Sequence, residues 1–77
     1  MSPEVATSRR LCNEGLSAAD RDDLGRATTL LERAVKSCPE DVDARRHYAD
    51  VLWRGDKRME AIGQMKAALD LSPADPG

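Results

Sequence analysis

The sequence predicts an all-α chain of two antiparallel helical hairpins, and three features point that way. The stretch ATTLLERAVKSCP, Ala27 to Pro39, returns as AIGQMKAALDLSP, Ala61 to Pro73, with Ala27 and Ala61, Ala34 and Ala68, and Pro39 and Pro73 each 34 residues apart. The same register holds upstream, where Gly15 is answered by Ala49 and Asp22 by Asp56. Apolar residues recur at spacings of three and four, the period of a helix with one buried face. A period between 20 and 50 residues marks an array, whose units bury their apolar faces against one another.

Ser2-Pro3-Glu4 reads as a helix start, with a capping hydroxyl, proline at the first helical position and an acid in the first turn. The first helix is expected over about residues 3–19, with Leu11, Gly15, Ala18 and Ala19 facing inward. Glycine inside a helix costs about 1 kcal/mol relative to alanine. Close approach of a partner helix at Gly15 is the expected offset. Asp20 to Asp23 interrupts the apolar pattern and supplies cap candidates for a second helix, whose stripe is Leu24, Ala27, Leu30, Leu31, Ala34 and Val35. Glu32 stands four residues before Lys36, and Pro39 ends this helix by disfavouring the helical conformation of Cys38.

Glu40, Asp41 and Asp43 place negative charge at the start of a third helix, with Ala44, Tyr48, Val51 and Leu52 on its buried side. Gly55 is expected to stop it and Asp56 to cap the fourth. That helix carries Met59, Ala61, Ile62, Met65, Ala68, Leu69 and Leu71, and ends at Pro73. Four helices of roughly 13 to 17 residues would each be about 20 to 25 Å long, with Ala27 and Ala61 where helices touch.

Seventy-seven residues allow one small domain with a thin core. Phenylalanine is absent and Tyr48 and Trp53 are the aromatic residues, so burial rests on Leu, Ala, Val, Ile and Met. Charged residues make up 34% but the net charge is only −2, which argues for solvated faces of both signs and against a nucleic-acid footprint. No run approaches the roughly 18 apolar residues of a membrane span, and MSPEVATSRR lacks the apolar centre of a secretory signal. The cytoplasm is the expected location, and Cys12 and Cys38 are expected to be free thiols there, although two antiparallel helices would also permit a bridge between them.

No catalytic constellation stands out. His47 is the only histidine, no signature surrounds it, and its repeat position is expected to face solvent. Cys12, Cys38 and His47 lack the ligand-pair spacing of a metal site, and the five glycines are scattered instead of forming a phosphate loop. Neither an enzyme nor a bound cofactor is expected.

The chain resembles the tetratricopeptide repeat family. SRRLCNEGLSAADRDDLGRATTLLERAVKSCP supplies Leu11, Gly15, Leu24, Ala27, Leu31, Ala34 and Pro39 at the family's pattern positions. DARRHYADVLWRGDKRMEAIGQMKAALDLSP supplies Tyr48-Ala49 at its Leu-Gly pair, Leu52 at its first aromatic, and Ala61, Ala68 and Pro73. Repeat one would span about residues 8–39 and repeat two about 42–73, with a short tail over 74–77, all in a single domain. Arg45 stands where the family usually has tryptophan, Glu14 at the leucine before Gly15, and Arg58 at the residue wedged between paired helices.

The resemblance implies a right-handed superhelical array that binds a peptide or partner helix in its concave groove. By the family's register the groove residues here would include Arg9, Cys12 and Leu16 from the first unit and Asp43, Arg46, Asp50, Trp53 and Arg54 from the second. Cys12 and Leu16 occupy places where the branch that clamps a C-terminal carboxylate would have lysine and asparagine, which argues against that ligand. Trp53, with Arg46 and Arg54 expected beside it, is the leading binding candidate, because Trp and Arg dominate interface hot spots. An array of two units leaves its last helix uncovered. The alternative expectation is therefore an oligomerisation or scaffold segment that self-associates through the fourth helix, as a homo-oligomer or within a larger protein.

Overall fold

The computed structural model describes residues 2–71, which form four helices: α1 (Pro3–Asp20), α2 (Leu24–Ser37), α3 (Val42–Arg54) and α4 (Arg58–Leu71). The expected end of the fourth helix at Pro73 and the tail over 74–77 lie outside the described residues. α1 packs against α2 and α3 against α4, giving two hairpins; α2 lies on α3, α1 touches α3, and α4 packs on α3 alone. Among the described residues no helix is long and apolar enough to cross a membrane.

The starts of the first three helices follow from their caps. The Ser2 hydroxyl accepts from the Val5 amide at 3.3 Å, the Asp23 carboxylate from Arg26 at 3.3 Å and the Asp41 carboxylate from Ala44 at 3.2 Å. α4 differs from expectation. It begins at Arg58, with the Lys57 carbonyl accepting from the Ala61 amide at 3.0 Å, and Asp56 belongs to the end of α3. The Asp56 amide donates to the Trp53 carbonyl at 3.1 Å and the Lys57 amide to the Leu52 carbonyl at 2.8 Å, a Schellman closure with Asp56 at φ 65°.

The turn after α1 is built the same way, 34 residues earlier. There the Asp22 amide donates to Ala19 at 2.9 Å, the Asp23 amide donates to Ala18 at 2.8 Å, and Asp22 has φ 63°. Gly55, expected to stop α3, has an ordinary φ of −83°. The left-handed position falls one residue later, on a short polar side chain that tolerates it better than most.

The core is the apolar set expected from spacing: Leu11, Ala18 and Ala19 of α1, Ala27, Leu30, Leu31, Ala34 and Val35 of α2, and Ala44, Tyr48, Val51 and Leu52 of α3 are buried. α4 contributes only Ala61 and Ala68. Gly15 meets α2 so closely that a Cβ there would lie 2.8 Å from Leu31 Cγ and 3.4 Å from the Ala27 carbonyl oxygen. At the corresponding pair in the second hairpin, Ala49 adds the methyl and a flexible methionine, Met65, replaces the leucine.

Arg45, at a position where bulk was expected, ties the second hairpin together instead. Its Nε donates to the Pro39 carbonyl at 2.8 Å and one terminal nitrogen to Gln64 Oε1 at 3.1 Å. The Glu32–Lys36 pair forms at 3.0 Å on the surface, where such a pair contributes a few tenths of a kcal/mol.

Two stability measurements check these contacts. Asp22→Gly and Asp56→Gly should each raise the unfolding free energy by about 0.5 to 1 kcal/mol in urea, because glycine enters the left-handed region without the steric cost; a loss in either would mean that the aspartate side chain itself holds the turn. Gly15→Ala should lower stability, with overpacking of about 1 to 3 kcal/mol outweighing about 1 kcal/mol of helix propensity. Adding Leu31→Met, which imitates the second hairpin, should recover part of that loss.

Candidate functional site

The hydrogen bond that joins the hairpins also floors one side of the molecule. Ser8 is fully buried, and its hydroxyl donates to Asp41 Oδ2 at 2.8 Å while Asp41 Oδ1 caps α3. One carboxylate thus orders the start of α3 and fastens it to α1. Ser8 was not among the inward positions read from sequence, although it stands three residues before Leu11 and seven before Gly15 on the same helical stripe. That spacing was the available signal.

Above this bond α1 and α3 border an open cavity of about 300 Å³, lined by Arg9, Cys12, Leu16, Asp41, Asp43 and His47 together with Val5 and Asn13. Four of the eight groove candidates, Arg9, Cys12, Leu16 and Asp43, come together here. His47 does too, half-buried and not simply facing solvent as expected. Cys12 has only 7% of its surface exposed, so a ligand would meet its neighbours first. Burial, helped by the nearby charges of Asp41 and Asp43, pushes its thiol from 9.0 up to about 11. The thiolate, which is the nucleophilic form, is therefore scarce near neutral pH. Cys12 and Cys38 are both free.

The other four candidates lie elsewhere on α3. Asp50 and Arg54 pair with each other at 3.3 Å on exposed surface. Arg46 borders a second open cavity of about 380 Å³, lined also by Val42, Met65, Ala68 and Leu69 at the α3/α4 edge. Trp53 is 48% exposed, and the cation at its face is neither Arg46 nor Arg54 but Arg58 of α4, whose guanidinium carbon is 5.5 Å from the ring centroid. The family register had placed Trp53 in the concave groove, yet it is absent from the cavity between α1 and α3.

The α3/α4 edge carries the repeat counterparts of residues that are buried in the first hairpin. Cys12, Ala19, Leu31 and Val35 are buried in the first hairpin, and their counterparts 34 residues on are Arg46, Trp53, Met65 and Leu69. Exposure rises from 0% at Leu31 to 42% at Met65, and from 9% at Val35 to 57% at Leu69. Ile62 and Met59 are exposed on the same helix. Among the described residues no group of three His, Cys, Asp or Glu side chains is placed to hold a metal ion.

Comparison with protein-family models, with curated proteins and with solved structures gives no match.

The buried thiol gives a pH dependence of definite sign. A thiol whose pKa is higher in the native state leaves stability unchanged below about 9, where both states are protonated. Stability is then lost as pH rises from 9.0 toward about 11, because the unfolded chain ionises first. Tyr48, raised by burial and by the Glu32 and Glu60 carboxylates, adds to the same alkaline loss. Thermal melts from pH 8 to 11 should therefore fall less steeply for Cys12→Ala than for the parent; parallel curves would mean that Cys12 is as accessible in the native chain as in the unfolded one.

Proposed function

We propose that the chain is a protein-interaction module of tetratricopeptide-repeat type, and that its principal working surface is the α3/α4 face. The period of 34 residues, the paired helices and the matching turns support the family reading. The observation that carries the choice of surface is the exposure of Met65 and Leu69 at the repeat positions of Leu31 and Val35, which are buried in the first hairpin on which α3 packs. A face built like one that already holds a helix is suited to receive another. Its residues are large and apolar, with a stacked tryptophan and arginine at one end, the composition of an interface centre. The module acts as a scaffold that joins helical units, with no chemistry of its own.

A second reading, a peptide in the concave groove, is favoured by the cavity beside Arg9, Asp43 and His47. Its lining mixes both charge signs over a buried thiol, so it offers hydrogen bonds and charge pairing but less apolar area to anchor a side chain than the α3/α4 face. That makes it the weaker surface.

Extending the chain with a second copy of residues 40–73 tests the main reading, since α3 of that segment already packs on hairpin one. The melting temperature should rise by about 5 to 15 °C as the added unit covers the face. Leu69→Lys in the original hairpin should abolish the gain. An added segment that is cut rapidly by protease, with an unchanged melt for the rest, would refute the assignment.

A further inference from the structure

We infer that a second copy of this chain covers the α3/α4 face, with the two α4 helices antiparallel across a two-fold axis. The inference rests on the proposed reading of that face as the interaction surface.

Head-to-tail stacking is disfavoured by the opposite end of the molecule. The α1 residues standing 34 positions before Ala44, His47, Tyr48 and Val51 of α3 are Arg10, Asn13, Glu14 and Ser17, all exposed and polar. A helix presenting that set would strand polar groups against Met65 and Leu69, each wanting a hydrogen bond it could not make. The face that complements an apolar stripe on this chain is the stripe itself, and self-complementary patches close by two-fold symmetry.

Charge selects between the two ways such a pair can close. The stripe runs Arg58, Ile62, Met65, Leu69 along α4, with Asp70 beside its end. In a parallel pair Arg58 would face its own copy at one end and Asp70 its own copy at the other. In an antiparallel pair Ile62 meets Met65 of the other copy, the stem of Arg58 lies on Leu69 of the other copy, and its guanidinium reaches Asp70 there. Unlike charges then meet at both ends, with Arg58 shared between Asp70 of the other copy and its own 3.5 Å partner Asp56, and the helix dipoles oppose favourably. Trp53, already stacked with Arg58, extends the contact onto α3. A stripe on one 14-residue helix, about 21 Å long, gives an interface at the small end of the specific range, so association should be concentration-dependent.

Sedimentation equilibrium of the full chain from micromolar to millimolar concentration, with circular dichroism to confirm unchanged helicity, tests this. A reversible dimer is expected, weakened at least roughly tenfold by Leu69→Asp and by Met65→Asp. Arg58→Asp and Asp70→Arg should each weaken it roughly threefold to tenfold, and the double reversal should restore it. A monomer throughout, or a dimer indifferent to Leu69→Asp and Met65→Asp, overturns the inference. So does a dimer that the double reversal fails to restore, because that outcome excludes the antiparallel pair. The extended chain reports on the face independently: a monomeric parent whose extension still gains stability would refute the second copy while leaving the face as the interaction surface, and failure of both would remove the two readings together.

Discussion

The structure depends on how closely backbones approach where side chains are smallest. A chain with no phenylalanine and a thin core cannot fill wide gaps between helices. It closes them instead, with Gly15 against Leu31 and Ala27 in the first hairpin and fully buried Ala61 in the second. Close packing at interior density is sensitive to a single methyl group, which is why glycine is kept inside α1 at a cost in helix propensity. The seam sets the spacing of α1 and α2, and that spacing sets the trough into which α3 lies. Asp41 then fixes α3 along the trough by capping it and accepting from Ser8.

Most of the fold was legible because the chain states it twice. Helix positions, the buried stripes of the first three helices and the close approach at Gly15 follow from period and spacing, and the structure places them accordingly. The second turn was misread for a physical reason. Aspartate serves both as a helix cap and as a left-handed closing residue, and the first turn has one of each, Asp22 and Asp23. The second turn keeps only the closing residue, Asp56, with Lys57 at the capping place, so a lone aspartate before a helix suggested the wrong one of its two roles.

The candidate site was legible only in part. Positions transferred from a long array presume neighbouring units on both sides, and a residue whose neighbouring unit is not among the described residues stands at an edge of the structure. Trp53 and Arg46 are such residues, counterparts of Ala19 and Cys12, which are buried in the first hairpin. Arg9, Cys12, Leu16 and Asp43 have their neighbouring unit present, and they do share a cavity. The partnership of Ser8 with Asp41 crosses 33 residues and depends on how one hairpin is rotated on the other, which periodicity within a helix does not encode.

α4 touches only α3, and this grades resistance to opening along the chain. A helix held on one side by two buried alanines has less to lose on leaving than the helices beneath it, so its amides belong at the low end of the local free-energy scale. Anything that settles on its bare flank must order α4 as well as grip it, and thereby slows solvent exchange in a segment whose own contacts protect it least. On the proposed reading of this face, recognition and the final stage of folding become one coupled equilibrium, located in α4.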